Sequence, residues 1–297
     1  MTRALAVVNP AAGGGRTARL WPDLRDHLHR LGLSFDHAET RASGDGRTLA
    51  AAGVTAGAEL VIAVGGDGTL NEVVNGITGG DGRPLAAAGA LLTGRGRDAA
   101  RTLGLPRDPQ RAAERLVQGS ETRRDLGLVR GGRGRRYFVT VAGAGFDAVV
   151  AARAATLPGR GTVPYLRAVA ATLRAHRPWV VSLAVDGAPA RSLSVTGVVI
   201  ANGPCFGGGM RVAPGADASD GRLDVVVLGT LSRAALLRWL PTLYWGGHLR
   251  HPRVTRELAR AVAVTSALPV PLQLDGEPWG ASPFEVTVCP GALRLRG

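Results

Sequence analysis

The stretch VIAVGGDGTLNEVVNGI, residues 61–77, decides the fold. An apolar run ends at Gly65-Gly66, an acid and a third glycine follow, and then Leu70, Val73, Val74 and Ile77 recur at helical spacing. Strand, glycine turn and amphipathic helix make one βα unit of a parallel sheet. Such turns hold phosphate, because bare backbone N–H groups and the helix dipole point at it. Asp67 carries the same sign of charge as phosphate. A carboxylate makes sense there with a divalent cation between the two. Thr69-Leu70-Asn71-Glu72 matches the S/T-x-x-E capping box, so Thr69 and Glu72 are expected to close this helix's N-terminus.

The same alternation extends in both directions. ALAVVN (4–9) reads as a strand, Gly13–Gly15 as a loop and 16–30 as a helix. LSFDHA, AAGALLT and two helical stretches, RDAARTLG and DPQRAAERLVQG, continue the pattern, which predicts a Rossmann-like parallel α/β sheet. From about residue 123, strand-like runs separated by turn residues dominate, with helical insertions near 163–176 and 232–245. That predicts a mainly antiparallel β-sandwich. The expected domains are 1–124 and 125–297, with the last residues packing back on the first domain.

The chain has 297 residues, a net charge of +13 and no lysine. Any phosphate site must therefore use backbone N–H groups, arginine or a metal, and a GxxxxGK[ST] loop is excluded. A strongly basic chain suggests acidic partners: nucleic acid, nucleotides or anionic lipid surfaces. Two distant cysteines make neither a disulfide framework nor a zinc pattern. The histidines form no metal or nucleophile motif. The N-terminal apolar run is too short for a secretion signal, and no run approaches the ~20 apolar residues of a membrane span. A cytoplasmic protein with peripheral membrane contact is expected.

Other motifs read ambiguously. G-x-G-x-x-A occurs twice, at Gly94–Ala99 and Gly143–Ala148, and either copy could be packing glycine. LQLDGEPWG places Asp275 and Glu277 at a hairpin turn. Asp217, Asp220 and Asp224 suit a structural cation or an ordinary acidic turn. RGGRGRR (130–136) reads as a solvated hairpin turn in preference to a lipid- or nucleic-acid-facing patch. LSRAALLRWLPTLYWGGHL (231–249) suits a membrane interface, or a helix packed on the β domain.

Taken together, NP..GGGR, VGGDGTLNEVVNG, YFVTVAGAGFDAVV, ANGPCFGGGMRVAPGADASDGRLDVVVL and LQLDGEP stand in one order over nearly the whole chain. The chain so resembles the diacylglycerol kinase catalytic family, which includes soluble bacterial lipid kinases and sphingosine kinases. The resemblance implies transfer of the γ-phosphate of ATP to a lipid hydroxyl in an interdomain cleft. Asn9, Gly13, Gly14, Gly15 and Thr40 would border the nucleotide. Gly66, Asp67, Gly68, Thr69 and Glu72 would form the phosphate turn, with Arg95 as a further contact. Asp67, Asp98 and Asp125 would hold the catalytic Mg2+ through waters, and Glu277 would be the general base. Asp217, Asp220 and Arg222 would bind a structural Mg2+. The implied partners are a lipid alcohol and an anionic membrane surface, with no nucleic acid; a homodimer stays open.

One block departs from the family pattern. LLTGRGRDAAR keeps Gly94, Gly96, Asp98 and Arg101, but Arg95, Arg97 and Ala99 replace the usual threonine, asparagine and phenylalanine. Arg97 is expected to pair with Asp98 and perturb it. Two alternatives stay open: an NAD kinase-like enzyme, since such kinases share the G-G-D-G turn, and a nucleotide- or lipid-binding pseudokinase.

Overall fold

The structure, a computed structural model, describes residues 3–94, 96–157 and 162–297. Two compact units emerge, Met1–Leu126 with Cys289–Gly297, and Gly127–Val288. The chain enters the second unit two residues later than the sequence boundary, and all of 289–297 belongs to the first unit.

The first unit runs β1 (Ala4–Val8), α1 (Ala12–Arg30), β2 (Phe35–Glu39), α2 (Asp45–Thr55), β3 (Leu60–Gly65), α3 (Asp67–Ile77), β4 (Ala87–Leu92), α4 (Asp98–Leu103) and α5 (Pro109–Gln118). Its strands lie in the order β2-β1-β3-β4, all parallel. β3 and β4 are buried at every residue, as apolar strands are when helices cover both faces. On one face α1 contributes Trp21, Leu24 and Leu28, and α5 contributes Ala112, Ala113 and Leu116. On the stripe read from the sequence, Leu70, Val73, Val74 and Ile77 of α3 are fully buried. Each such side chain contributes roughly 1.5–3 kcal/mol. The strand order reverses between β1 and β3. In open parallel sheets, ligands bind at the carboxyl ends of strands beside that reversal.

The second unit adds β5 (Glu121–Gly131), β6 (Gly134–Phe138), β7 (Val141–Gly145), α6 (Phe146–Thr156), α7 (Thr162–Ala175), β8 (Trp179–Val185), β9 (Arg191–Ala201), β10 (Leu223–Gly229), α8 (Arg233–Trp239), β11 (Val254–Ala259), β12 (Ala261–Thr265), β13 (Pro271–Leu274), β14 (Glu277–Ala281) and β15 (Phe284–Arg296). β14-β13-β7-β9-β8-β12-β15 is antiparallel throughout, and β10 and β11 extend from the other edge of β9. β15 pairs with β12 through its first residues, while its Arg294 and Leu295 run parallel to Ala87 and Ala88 of β4. The α/β and antiparallel-β classes are those expected. RGGRGRR is the turn of the β5–β6 hairpin. α6 is a departure: 146–156 follows a strand in strand-rich sequence and folds as a helix instead.

Candidate functional site

The glycine turns meet at the carboxyl ends of β1, β3 and β4. Asn9 is tied to β3 by its N–H, which donates to Val64 O at 2.9 Å, and Thr40 N–H donates to Val8 O at 2.8 Å. Gly65 O accepts from Thr93 N–H, Gly94 N–H and the Thr93 hydroxyl. That hydroxyl lies 2.6 Å from the Thr17 hydroxyl on α1. Gly13, Gly14 and Gly15 have φ of 63, 73 and 84°, a left-handed run closed to side chains without strain. This lays the loop on the end of β4, where a Cβ at Gly13 would stand 3.3 Å from Thr93 O. A Cβ at Gly94 would stand 3.0 Å from Gly66 Cα, so both chains are bare where they cross. Beside Gly66 itself the space is open to 4 Å.

Gly66 is the N-cap of α3, which places Asp67 and Gly68 in its first turn. The capping-box expectation fails here. Thr69 is buried and its hydroxyl accepts from Asn9 Nδ2 at 3.1 Å. Glu72, the sixth helical residue, lies too far along to reach its own N-cap. Its carboxylate instead accepts from Gly44 N–H at 2.7 Å and Gly46 N–H at 2.9 Å, closing the start of α2.

Two acids converge. Asp67 Oδ2 accepts from Asp98 N–H at 3.1 Å. A Cβ at Gly96 would lie 3.1 Å from Asp67 Oδ2 and 3.7 Å from Asp98 Oδ2, so only bare backbone fits between them. Arg101 Nη1 donates to Gly96 O at 2.6 Å and to Asp98 Oδ1 at 2.8 Å. Arg97 does not pair with Asp98 as expected. With φ of 52° it turns away, Nε donating to Gly94 O and Nη1 to Arg107 O. Arg95 lies outside the described residues.

Asp125 is buried and accepts from Gly291 N–H at 2.7 Å, holding the returning segment of the first unit. Among the described residues no three His, Cys, Asp or Glu side chains stand close enough to hold a metal directly. Asp67 and Asp98 remain a fitting donor set for Mg2+, which keeps several waters and takes one or two carboxylates plus phosphate oxygens. In the 217–222 turn, Asp217 accepts from the Ser219 hydroxyl at 2.6 Å and Asp220 from Arg222 N–H at 2.9 Å.

In the second unit, Asp275 and Gly276 take φ of 49 and 89°, both positive as a tight two-residue hairpin requires. Asp275 accepts from Val139, Thr140 and Val141 N–H and from the Thr140 hydroxyl, at 2.6–3.1 Å, which fixes the turn. Glu277, next in the chain, pairs with Arg136 at 2.7 Å and is 40% exposed. Gly276 N–H donates to Gln273 Oε1 at 2.7 Å, and Gln273 Nε2 donates to Asp147 Oδ2 at 3.0 Å.

Asp147 opens onto a feature absent from the sequence reading. A cavity of about 320 Å3 lies in the second unit, walled by Phe146, Val150, Leu173, Val199 and Met210 among other apolar residues. Among the described residues, Asp147 is its single carboxylate. Burial pushes that carboxyl up to about 6, against the opposing hydrogen bond from Gln273. Asp147 is half-buried and faces the cavity, whose apolar walls remove part of its hydration. The one signal in sequence was an acid directly after a strand, in Gly145-Phe146-Asp147.

Comparisons with known proteins follow this division. Residues 3–129 match the diacylglycerol kinase catalytic domain, and residues 140–297 match the YegS C-terminal NAD kinase beta sandwich-like domain. A diacylglycerol kinase of Mycobacterium tuberculosis (strain ATCC 25618 / H37Rv) is 32% identical over 98% of this chain and 93% of its own length. One from Bacillus subtilis (strain 168) is 30% identical over 96% and 93%. The crystal structure of a diacylglycerol kinase from Bacillus anthracis str. Sterne superposes with a TM-score of 0.74 over 99% of this chain and 96% of that one, at 17% identity, which shows the shared fold. By its matched domains and its full-length relatives, the chain belongs to the diacylglycerol kinase family, phosphotransferases with an alcohol group as acceptor.

Proposed function

We propose that the protein transfers the γ-phosphate of ATP to the hydroxyl of a lipid alcohol, of the diacylglycerol or sphingoid type. The observation that carries this reading is the apolar cavity with one carboxylate in its wall. Its volume suits a small-molecule site, and its lining suits hydrocarbon rather than a sugar phosphate. The Gly66–Gly68 turn and the Gly13–Gly15 loop supply backbone N–H groups to the phosphates. Asp67 and Asp98 would hold Mg2+, which neutralises charge on the phosphoryl oxygens when bound. Arg101 keeps Asp98 oriented for that task. The acceptor oxygen forms the new bond to the γ-phosphorus, the bridging bond to the β-phosphate oxygen breaks, and ADP leaves. Glu277 takes the hydroxyl proton, held in place by Arg136.

The β-sandwich-like match favours a second reading, an NAD acceptor. The cavity argues against it, since ribose and phosphate groups would face hydrocarbon without partners. The pseudokinase reading loses its main support, because Arg97 leaves Asp98 alone. Incubation with labelled ATP, Mg2+ and either a lipid-alcohol panel or NAD separates the three. Label in a lipid product, lost in Glu277→Gln, is expected. Label only in NAD phosphate, or in nothing, overturns the proposal.

A further inference from the structure

Gln273 of β13 is 1% exposed, and the two ends of its amide are taken by unlike partners. Its Nε2 donates to Asp147 Oδ2 at 3.0 Å, and its Oε1 accepts from Gly276 N–H at 2.7 Å. A flipped amide would set NH2 against the Gly276 N–H and oxygen against the carboxylate, so one orientation is fixed. The contact is built into the sheet. Gly143 of β7 lies opposite Gln273 in register. A Cβ at Gly143 would overlap Asp147 Oδ2 and stand 2.6 Å from Gln273 Nε2, so the bare strand leaves room for α6 to reach β13. Packing alone would favour an apolar side chain of that size, which has no polar groups to satisfy. The bridge joins two parts of the candidate site. Asp147 stands in the cavity wall, whereas Gln273 is not among the wall residues described. Gly276 is the second residue of the hairpin that presents Glu277. Asp275, the first, is fastened by the N–H groups of Val139, Thr140 and Val141. Gly276 has φ of 89°, and glycine restrains its own backbone least, so the bond to Gln273 holds the turn one residue before Glu277.

We propose that Gln273 is a positioning residue of the reaction and that Asp147 acts through it: the pair braces the Gly276 peptide from α6 and so sets where Glu277 holds its carboxylate. All four residues lie within the second unit. Glu277 is 40% exposed, so its placement depends on the turn behind it as well as on Arg136. A base that takes a hydroxyl proton must stand within hydrogen-bond reach of it, and a small displacement costs rate rather than binding. Cavity and base are then not independent, because whatever rests against Asp147 loads the bond that holds Gly276. The bearing on turnover rests on Glu277 as the base in the reading above; the brace itself does not.

The test uses the full chain, with steady-state turnover of a short-chain, water-soluble diacylglycerol and the backbone amide spectrum of isotope-labelled protein without ligand. Gln273→Met is close in size but lacks both hydrogen bonds. It should lower kcat about tenfold while KM for ATP and acceptor stays within about twofold, the mark of a misplaced group rather than of lost binding. Asp147→Ala should lower kcat as far, and the double variant no further, because both changes open one brace. Asp147→Asn keeps an oxygen for Gln273 Nε2 and should recover most of that kcat. In the spectrum, Asp147→Ala should move the Gly276 resonance in the native background and leave it in place in the Gln273→Met background. Losses that multiply to about a hundredfold in the double variant overturn the proposal. So does equal kcat in Asp147→Ala and Asp147→Asn, or a Gly276 resonance in the native background indifferent to Asp147→Ala. Those last two need no change at Gln273, so they decide even where Gln273→Met fails to fold. A native chain that phosphorylates no lipid alcohol overturns the acceptor reading, and the Gly276 resonance alone then decides the brace.

Discussion

Glu72 on α3 accepts a hydrogen bond from Gly46 N–H in the first turn of α2, at 2.9 Å, while its other oxygen takes Gly44 N–H. One carboxylate therefore satisfies two donors that the start of a helix leaves without partners. Glu72→Ala should lower stability by about 1–2 kcal/mol, read by denaturant unfolding without nucleotide. Glu72→Gln, which keeps one acceptor oxygen, should cost less. An unchanged midpoint in the alanine variant would return Glu72 to a purely nucleotide-binding role.

Two arginines of one loop should behave oppositely. Arg101 holds Asp98 Oδ1 and Gly96 O, whereas Arg97 binds only the carbonyls of Gly94 and Arg107. Arg101→Met should reduce kcat at least tenfold and raise the Mg2+ concentration needed for half-maximal rate, by roughly the 1.5–3 kcal/mol of a charged hydrogen bond. Arg97→Asn places a residue tolerant of left-handed backbone at φ of 52° and should leave kcat within about threefold. The pair is measured by steady-state kinetics over a Mg2+ titration. Equal losses would mean that Arg97 touches the reaction.

Asp67→Ala removes one of the two acids beside Gly96 and the acceptor for Asp98 N–H. Phosphoryl transfer should fall below detection, while unfolding moves by only about 1 kcal/mol. Lipid-kinase turnover and circular dichroism together check this. Turnover that survives means the turn holds phosphate without a metal.

Asp147 makes stability depend on pH. Burial raises its carboxyl from 3.8 to about 6, so between those values the folded protein holds a proton that the unfolded chain has lost. This contribution is fully present below pH 3.8, falls as pH rises towards 6, and is lost above it. The loss is at most about 3 kcal/mol. Asp147→Asn removes it, so the variant should gain on the wild type between pH 4 and 7 when unfolding midpoints are compared. A constant difference across that range would mean that water in the cavity solvates the carboxylate.

The parallel sheet was legible because β3 and α3 change hydrophobic period at Gly65-Gly66, a local signal. The glycine loop was legible for the same reason: Gly13–Gly15 interrupts an amphipathic run. What depended on distant contacts was not. The S/T-x-x-E spacing found Glu72 but could not show which helix its carboxylate closes; that depends on how α2 packs on α3. The sequence singled out Asp125 but could not show that residue 291, far along the chain, donates to it. The cavity escaped because its walls come from α6, α7, α8 and β9, segments far apart in the chain that no local pattern joins. Gln273 was passed over because a lone glutamine in a strand carries no local pattern, though it joins Asp147 to the turn before Glu277.

The return of residues 289–297 to the first unit sets an order on synthesis. Leu293 and Leu295 are buried there, Gly291 satisfies Asp125, and Arg294 and Leu295 pair with β4. On the ribosome, residues 3–126 emerge first but must wait for all of 127–288 before their sheet gains its last strand. The first unit is therefore finished last. A chain released early leaves the flank of β4 unpaired, an open sheet edge that invites pairing with another chain.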